Sequence, residues 1–440
     1  MDALAIIGLI LAVLVLGVGA YKGLGALAST LLASLVVILT SGMNIWEGFS
    51  NFYMQGYTGA YASFFLMFCL SSLYANFMNV SGSATSIAYQ FIDWFGKKKV
   101  LLVCFLITVV LTYGGVSLFV VVYAMAPIMF TLFKEANLPR HLTMAIIIAG
   151  SATLSMTALP GTPALTNVIP TQFLGTTLTA APVFGIIASI AFFIMILTYL
   201  NICEKKARAN NEYWTYPEGV DPSQYEIEDR SKLPSSVKAF LPMIILMAII
   251  IVGSRFGLNS TMLATAAMFA GALVIYIFNL DKFKGKDMKK VIASGLEGGI
   301  GGIGGYAGVV AFGSVVSNSE AFAAIVQWVI SMEMNPYAQG VFATMVVSAV
   351  TGSSSGGLRI MFTAFADGFL ASGVNLELLH RLVSISAGAL DTLPHSPGLF
   401  LMFAVLGLTH KEAYKHVFWT TVFIPSVITL VSLAILVMFF

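Results

Sequence analysis

Apolar stretches long enough to enter a membrane alternate with short polar breaks along the whole chain, and their order predicts its elements. A helix needs about 20 mostly apolar residues to cross a hydrocarbon core of about 30 Å. Residues 4–19, 24–39 and 61–94 are read as spans; a polar connection near 44–57 precedes the third, and Lys97, Lys98 and Lys99 end it. Residues 1–19 show neither a basic leader nor a clean cleavage site, so 4–19 is kept as a span. In 100–133 two shorter apolar arms flank Thr112-Tyr113-Gly114-Gly115-Val116-Ser117, which predicts a re-entrant hairpin. The stretch 141–174 is broken at Leu159-Pro160-Gly161-Thr162-Pro163, and a span at 181–202 follows. Residues 204–238 hold 13 charged side chains and read as a solvated linker. Beyond it come two spans in 240–278 and a Gly-rich span at 298–330. A second hairpin at 339–371 surrounds Thr351-Gly352-Ser353-Ser354-Ser355-Gly356-Gly357. A second broken helix at 378–408 is interrupted at Leu393-Pro394-His395-Ser396-Pro397, and a last span runs 419–440.

The second half therefore repeats the first, with 1–203 and 239–440 as the two units. Gly114-Gly115, Asn137-Leu138 and Leu159-Pro160 recur as Gly356-Gly357, Asn375-Leu376 and Leu393-Pro394, at offsets of 242, 238 and 234 residues counted from Gly115, Asn137 and Pro160. If the hairpins do not cross, each half crosses five times and the second enters the membrane upside down. With both termini outside, 19 of the 22 basic residues fall on the cytoplasmic side, including Lys97 to Lys99, Lys134, Arg140 and the six basic residues of the linker, Lys238 included. That distribution obeys the positive-inside rule. The expected fold is an all-α polytopic membrane protein of two inverted repeats, each with a re-entrant hairpin and a broken helix.

Composition supports this picture. The chain is 58% hydrophobic and 10% charged, against about 25% charged in soluble domains. A net charge of +2 gives no case for nucleic acid. Cys69, Cys104 and Cys203 are far apart in apolar surroundings and form neither a disulfide framework nor a thiolate metal site. No metal cluster, nucleophile elbow, Walker motif or cofactor-binding motif appears, so an embedded enzyme is the weaker class, and transport would run on an ion or solute gradient.

Backbone breaks at membrane depth are tolerated where protein or a water-filled cavity satisfies them, and half-helix N-termini there attract anions. The substrate site is expected where the four breaks meet: Thr112, Gly114, Gly115 and Ser117; Thr157, Gly161 and Thr162; Ser353, Ser354, Ser355, Gly356 and Gly357; His395 and Ser396. Arg359, just past the second hairpin tip, either holds a substrate carboxylate or pairs with Asp367, Glu320 or a carbonyl. Asp391 and His395 bracket the second Leu-Pro break and are candidates for a coupling proton; Asp391 would otherwise cap the restarting helix. Glu320 is a further candidate for the coupling ion, ahead of Glu297, while His141 and His380 read as interfacial. The glycines of 298–305 read as a close helix-packing surface.

The segments T-G-S-S-S-G-G (351–357), L-H-R-L-V-S-I-S-A-G-A-L-D-T-L-P-H-S (379–396) and G-L-T-H-K-E-A-Y-K (407–415) closely resemble the gluconate permease (GntP) family of bacterial symporters in the ion transporter superfamily. The resemblance is densest over 350–416. It implies an elevator-type transporter, usually a homodimer in the bacterial inner (plasma) membrane, taking up a small hydroxy-monocarboxylate with protons; sodium coupling or a facilitator is the alternative. Where gluconate-type members follow Leu-Pro-His with Asn-Gly-Ala, this chain has Ser396-Pro397-Gly398, which turns the expectation towards a shorter, more apolar acid such as 3-hydroxybutyrate.

Overall fold

The computed structural model describes residues 3–114, 116, 118–217, 230–256, 260–332 and 334–439, and every regular element among them is helical. The first series is α1 (Ala3–Tyr21), α2 (Ala26–Thr40), α3 (Ile45–Val80), α4 (Ser83–Phe95), α5 (Val100–Tyr113), α6 (Leu118–Ala136), α7 (Leu142–Ala158), α8 (Leu165–Leu174) and α9 (Pro182–Ala209). The second is α10 (Ser236–Arg255), α11 (Ser260–Phe278), α12 (Met288–Ser317), α13 (Glu320–Ile330), α14 (Pro336–Thr351), α15 (Ser354–Ala371), α16 (Leu376–Ala387), α17 (Pro397–Leu406) and α18 (His410–Phe439). Seven of the described helices (α1, α3, α6, α9, α11, α12 and α18) are long and apolar enough to cross a membrane. With the shorter apolar helices between them, the chain is a multi-pass membrane protein.

Several boundaries differ from those expected. Residues 45–57 are helical: Asn44, the N-cap, accepts the Glu47 N–H on Oδ1 at 3.1 Å and starts α3. A ladder of Phe49, Tyr53, Tyr57, Tyr61 and Phe65, with centroids 5.3 to 6.5 Å apart, then carries the helix through its polar stretch. The stretch 61–94 divides at Ser81-Gly82 into α3 and α4, and 298–330 divides at Asn318-Ser319, where the Ser319 hydroxyl accepts the Phe322 N–H at 3.2 Å. The last span starts at His410 rather than Trp419. A reciprocal cap starts it: Thr409 Oγ1 accepts the Glu412 N–H, and Glu412 Oε2 accepts the Thr409 N–H at 2.8 Å. Both ends of the linker are helical too, in α9 and α10.

One group of helices is organised around the α3–α12 crossing. A Cβ on Gly299 would stand 2.5 Å from Cys69 Cα, so the glycine face of α12 seats directly on α3, the packing surface expected of that run. α2 lies against Gly305 and Gly308 of the same helix, Gly271 of α11 faces Tyr74 of α3, and α1 runs antiparallel to α2. The second group contains both hairpins (α5–α6 and α14–α15), both broken helices (α7–α8 and α16–α17), α9 and α18. The charged ends of several helices form one linked surface: Lys97–Glu135 (2.9 Å), Arg208–Glu204 (2.9 Å) and Arg140–Glu412 (3.1 Å), with the Asn137 side chain accepting the Trp214 N–H of the linker.

Candidate functional site

Each break stops one helix and starts another, and the four meet around one cavity of about 340 Å³. The first hairpin contributes Thr112, Val116, Leu118 and Phe119, and the α7–α8 break contributes Met156, Pro163, Ala164 and Leu165. The second hairpin contributes Gly352 to Ser355, and the α16–α17 break contributes Asp391, Thr392 and Ser396 to Leu399. The first residues of α6, α8, α15 and α17 all line it, so four helix N-termini open on the same space. Phe64 and Met67 of α3, Thr261 of α11 and Tyr306 of α12 close it from the other group of helices.

Side chains satisfy the backbone carbonyls that the breaks expose. At the first break Tyr113 OH donates to Pro160 O (3.1 Å), Thr166 Oγ1 to Met156 O (2.5 Å) and Asn167 Nδ2 to Thr162 O (2.8 Å). At the second, His395 Nε2 donates to Ala349 O (2.8 Å), Ser396 Oγ to Gly352 O (3.0 Å), His410 Nε2 to Pro394 O (3.0 Å) and Tyr414 OH to Thr392 O (3.2 Å). The second hairpin turns at Gly352, whose φ of +61° is left-handed and whose Cβ, were there one, would meet Ser396 Cα at 3.0 Å. Ser353 then caps α15 by accepting the Gly356 N–H at 3.2 Å.

Of the residues expected at the site, Thr112, Ser353, Ser354, Ser355, Asp391 and Ser396 line the cavity. Gly356 and Gly357 lie in the first turn of α15; a Cβ on Gly357 would stand 2.8 Å from Ser348 N, so this glycine lets the two hairpin arms touch. Thr157 is buried, with its hydroxyl turned back to Thr153 O, and the buried Thr162 hydroxyl has no protein partner. Gly114 and Gly161 flank the cavity without lining it, Gly161 lying beneath the Tyr113 hydroxyl. His395 is buried behind the cavity wall, tying the break to the hairpin. Arg359 and Glu320 are exposed and away from the lining. Gly115 and Ser117 lie outside the described residues. His380, read as interfacial, is fully buried: its ring bonds Asn167 Oδ1 (2.9 Å) and Thr176 Oγ1 (2.7 Å). Beside it Arg381 holds Leu178 O and Ala180 O.

Sequence reasoning missed the aromatic wall of Phe64, Phe119 and Tyr306 and the side-chain ties from Tyr113, Asn167 and Thr392. Asn167 was legible as a polar residue within an apolar half-helix; the aromatic residues give no local signal.

The electrostatics are one-sided. Among the described lining residues none is basic, and Asp391 is the one carboxylate, with the Ser354 hydroxyl bearing on it. An anion here meets helix N-termini and hydroxyls rather than a cation.

Residues 3–439 match the family described as GntP family permease. The chain is 31% identical over 437 residues, 91% of its own length and 92% of the relative's, to the uncharacterized transporter YxjC of Bacillus subtilis (strain 168). It is 26% identical over 255 residues, 56% of this chain and 50% of the other, to an uncharacterized permease of Haemophilus influenzae. Since the family match runs through all four breaks and nearly end to end, the chain belongs to the GntP family of permeases.

Proposed function

We propose that this permease is a secondary active symporter that carries a small hydroxy-monocarboxylate, 3-hydroxybutyrate- or gluconate-like, across the plasma membrane with a proton. The observation that carries the proposal is the cavity: four helix N-termini around one carboxylate. Each N-terminus favours an anion by about 0.3–1 kcal/mol, so the two beside Asp391, those of α15 and α17, contribute about 0.6–2 kcal/mol to one carboxylate. Hydrogen bonds from Ser353, Ser354 and Ser355 raise this towards the roughly 4–8 kcal/mol of millimolar to micromolar binding.

Asp391 is the coupling group in this proposal. As a carboxylate about 5 Å from the substrate's, at an effective dielectric constant of about 20, it opposes binding by about 3 kcal/mol, or about 100-fold. Protonation removes the repulsion and adds a donor, so proton and anion each tighten the other's binding. His395 serves as the tie between break and hairpin, and Arg359 and Glu320 act outside the cavity.

The two series of helices are proposed to be inverted repeats with both termini outside. The repeated element order and the gathering of basic loops support this. The α1–α3 and α10–α12 group would be a fixed scaffold, and the group carrying the hairpins would slide against it as an elevator, in a homodimer. The position of the cavity at the seam between the groups supports that assignment.

The test is uptake by purified protein in proteoliposomes. An inward pH gradient is expected to drive accumulation of 3-hydroxybutyrate or gluconate, and a protonophore to abolish it. Asp391→Asn is expected to keep counterflow exchange while losing accumulation. Sodium-dependent uptake, or no accumulation against a gradient, rejects the proposal.

A further inference from the structure

We infer that the cavity selects a monocarboxylate with a hydrocarbon tail and discriminates against polyhydroxy acids. The inference rests on the symport reading and narrows its substrate class.

The lining is polar where the second hairpin tip and second break supply it, and apolar almost everywhere else. The first hairpin and first break, which occupy the matching places in the element order, supply Leu118, Phe119, Met156 and Leu165. Phe64 and Tyr306 come from the α3–α12 group. Phe64, Phe119 and Tyr306 pack edge to face, with centroids 5.3 to 6.3 Å apart and interplanar angles of 64° to 81°. Mutual packing of this kind fixes the rings as a rigid wall.

The hydroxyls around the cavity are largely engaged. Ser396 gives its proton to Gly352 O at 3.0 Å, Thr112 shares a 2.6 Å hydrogen bond with Ser151, and Thr392 shares one of 2.6 Å with Thr421. The serine run at the start of α15 is engaged in part, Ser353 by its cap on the Gly356 N–H and Ser354 by Asp391, and it forms with Asp391 one compact polar patch of limited hydrogen-bonding capacity for a ligand. It suits one carboxylate and a nearby hydroxyl.

A polyol acid has a hydroxyl on every carbon of its tail. Each one pressed unpaired against the aromatic wall lowers affinity about 5- to 150-fold. A hydrocarbon tail in the same place gains about fourfold per buried methylene. The aromatic wall is therefore the specificity determinant.

The experiment measures apparent affinity for 3-hydroxybutyrate, 3-hydroxyhexanoate and gluconate by competition in proton-driven proteoliposome uptake. Tightening by about 15-fold from the four- to the six-carbon acid is expected, from two methylenes, with gluconate the weakest. Phe119→Ala is expected to bring the two hydroxy acids within about threefold of each other. Phe119→Leu repeats the comparison if the alanine variant lowers the unfolding temperature of the ligand-free protein, and the wild-type series stands without either variant. Gluconate binding as tightly as 3-hydroxyhexanoate, or no dependence on tail length, overturns the inference and leaves symport standing. If none of the three acids, gluconate included, enters with a proton gradient, the symport reading itself fails.

Discussion

Arg359 lies five residues beyond Ser354, about 7.5 Å along the axis of α15 at 1.5 Å per residue, and it is exposed. It does not line the cavity. Arg359→Ala is therefore expected to leave ligand-induced thermal stabilisation within about threefold of wild type in apparent affinity, and Ser354→Ala to weaken it about tenfold, the value of one hydrogen bond to a charged group. Equal losses from both would return the carboxylate to Arg359. Sequence distance from the hairpin tip suggested the arginine, but helix rise separates residues that the sequence sets close together. The place of Asp391 on the cavity wall was legible because an ionisable residue beside a Leu-Pro break in an apolar run is costly. Phe64, Phe119 and Tyr306 were not. They come from three helices, and 33 phenylalanines in an apolar chain give no local signal. The position of His395 at the second break was legible but its hydrogen bond was not, because the Ala349 carbonyl it meets lies 46 residues away.

At the scale of elements, the breaks were readable because Gly, Pro and Ser interrupt apolar runs too short to cross. The starts of α3 and α18 were less so, since Asn44 and Thr409 cap segments whose polar content resembles a loop. The α3–α12 contact depends on the absence of side chains. A Cβ on Gly299 would meet Cys69 Cα, a backbone atom that has no rotamer by which to move aside. Gly299→Leu is therefore expected to lower the unfolding temperature of the detergent-purified protein and reduce its yield, at a cost of about 1–3 kcal/mol or more. Gly301→Leu, where a Cβ meets nothing within 4 Å, is the control and is expected to be tolerated. Similar losses from both would show that glycine itself, rather than the close approach, matters there.

For the whole molecule, the all-helical, multi-pass character was visible in sequence because long apolar runs are a one-dimensional pattern. The seam between the two groups of helices is not, since α3 and α12 belong to different series and meet only in space. The cavity lining, with no cation and a single carboxylate among the described residues, has a further consequence for charge movement. If Asp391 carries the proton, the loaded site holds a neutral acid and an anionic substrate, and the empty site holds the carboxylate alone. Both bear one negative charge. The inward and return steps then work against and with the membrane voltage by equal amounts, about 2.3 kcal/mol per 100 mV if the full field is crossed, and cancel over a cycle. Steady uptake is expected to be electroneutral: clamping the voltage with potassium and valinomycin should leave accumulation set by the pH gradient alone, and a sustained substrate-evoked current would rule out one proton per anion.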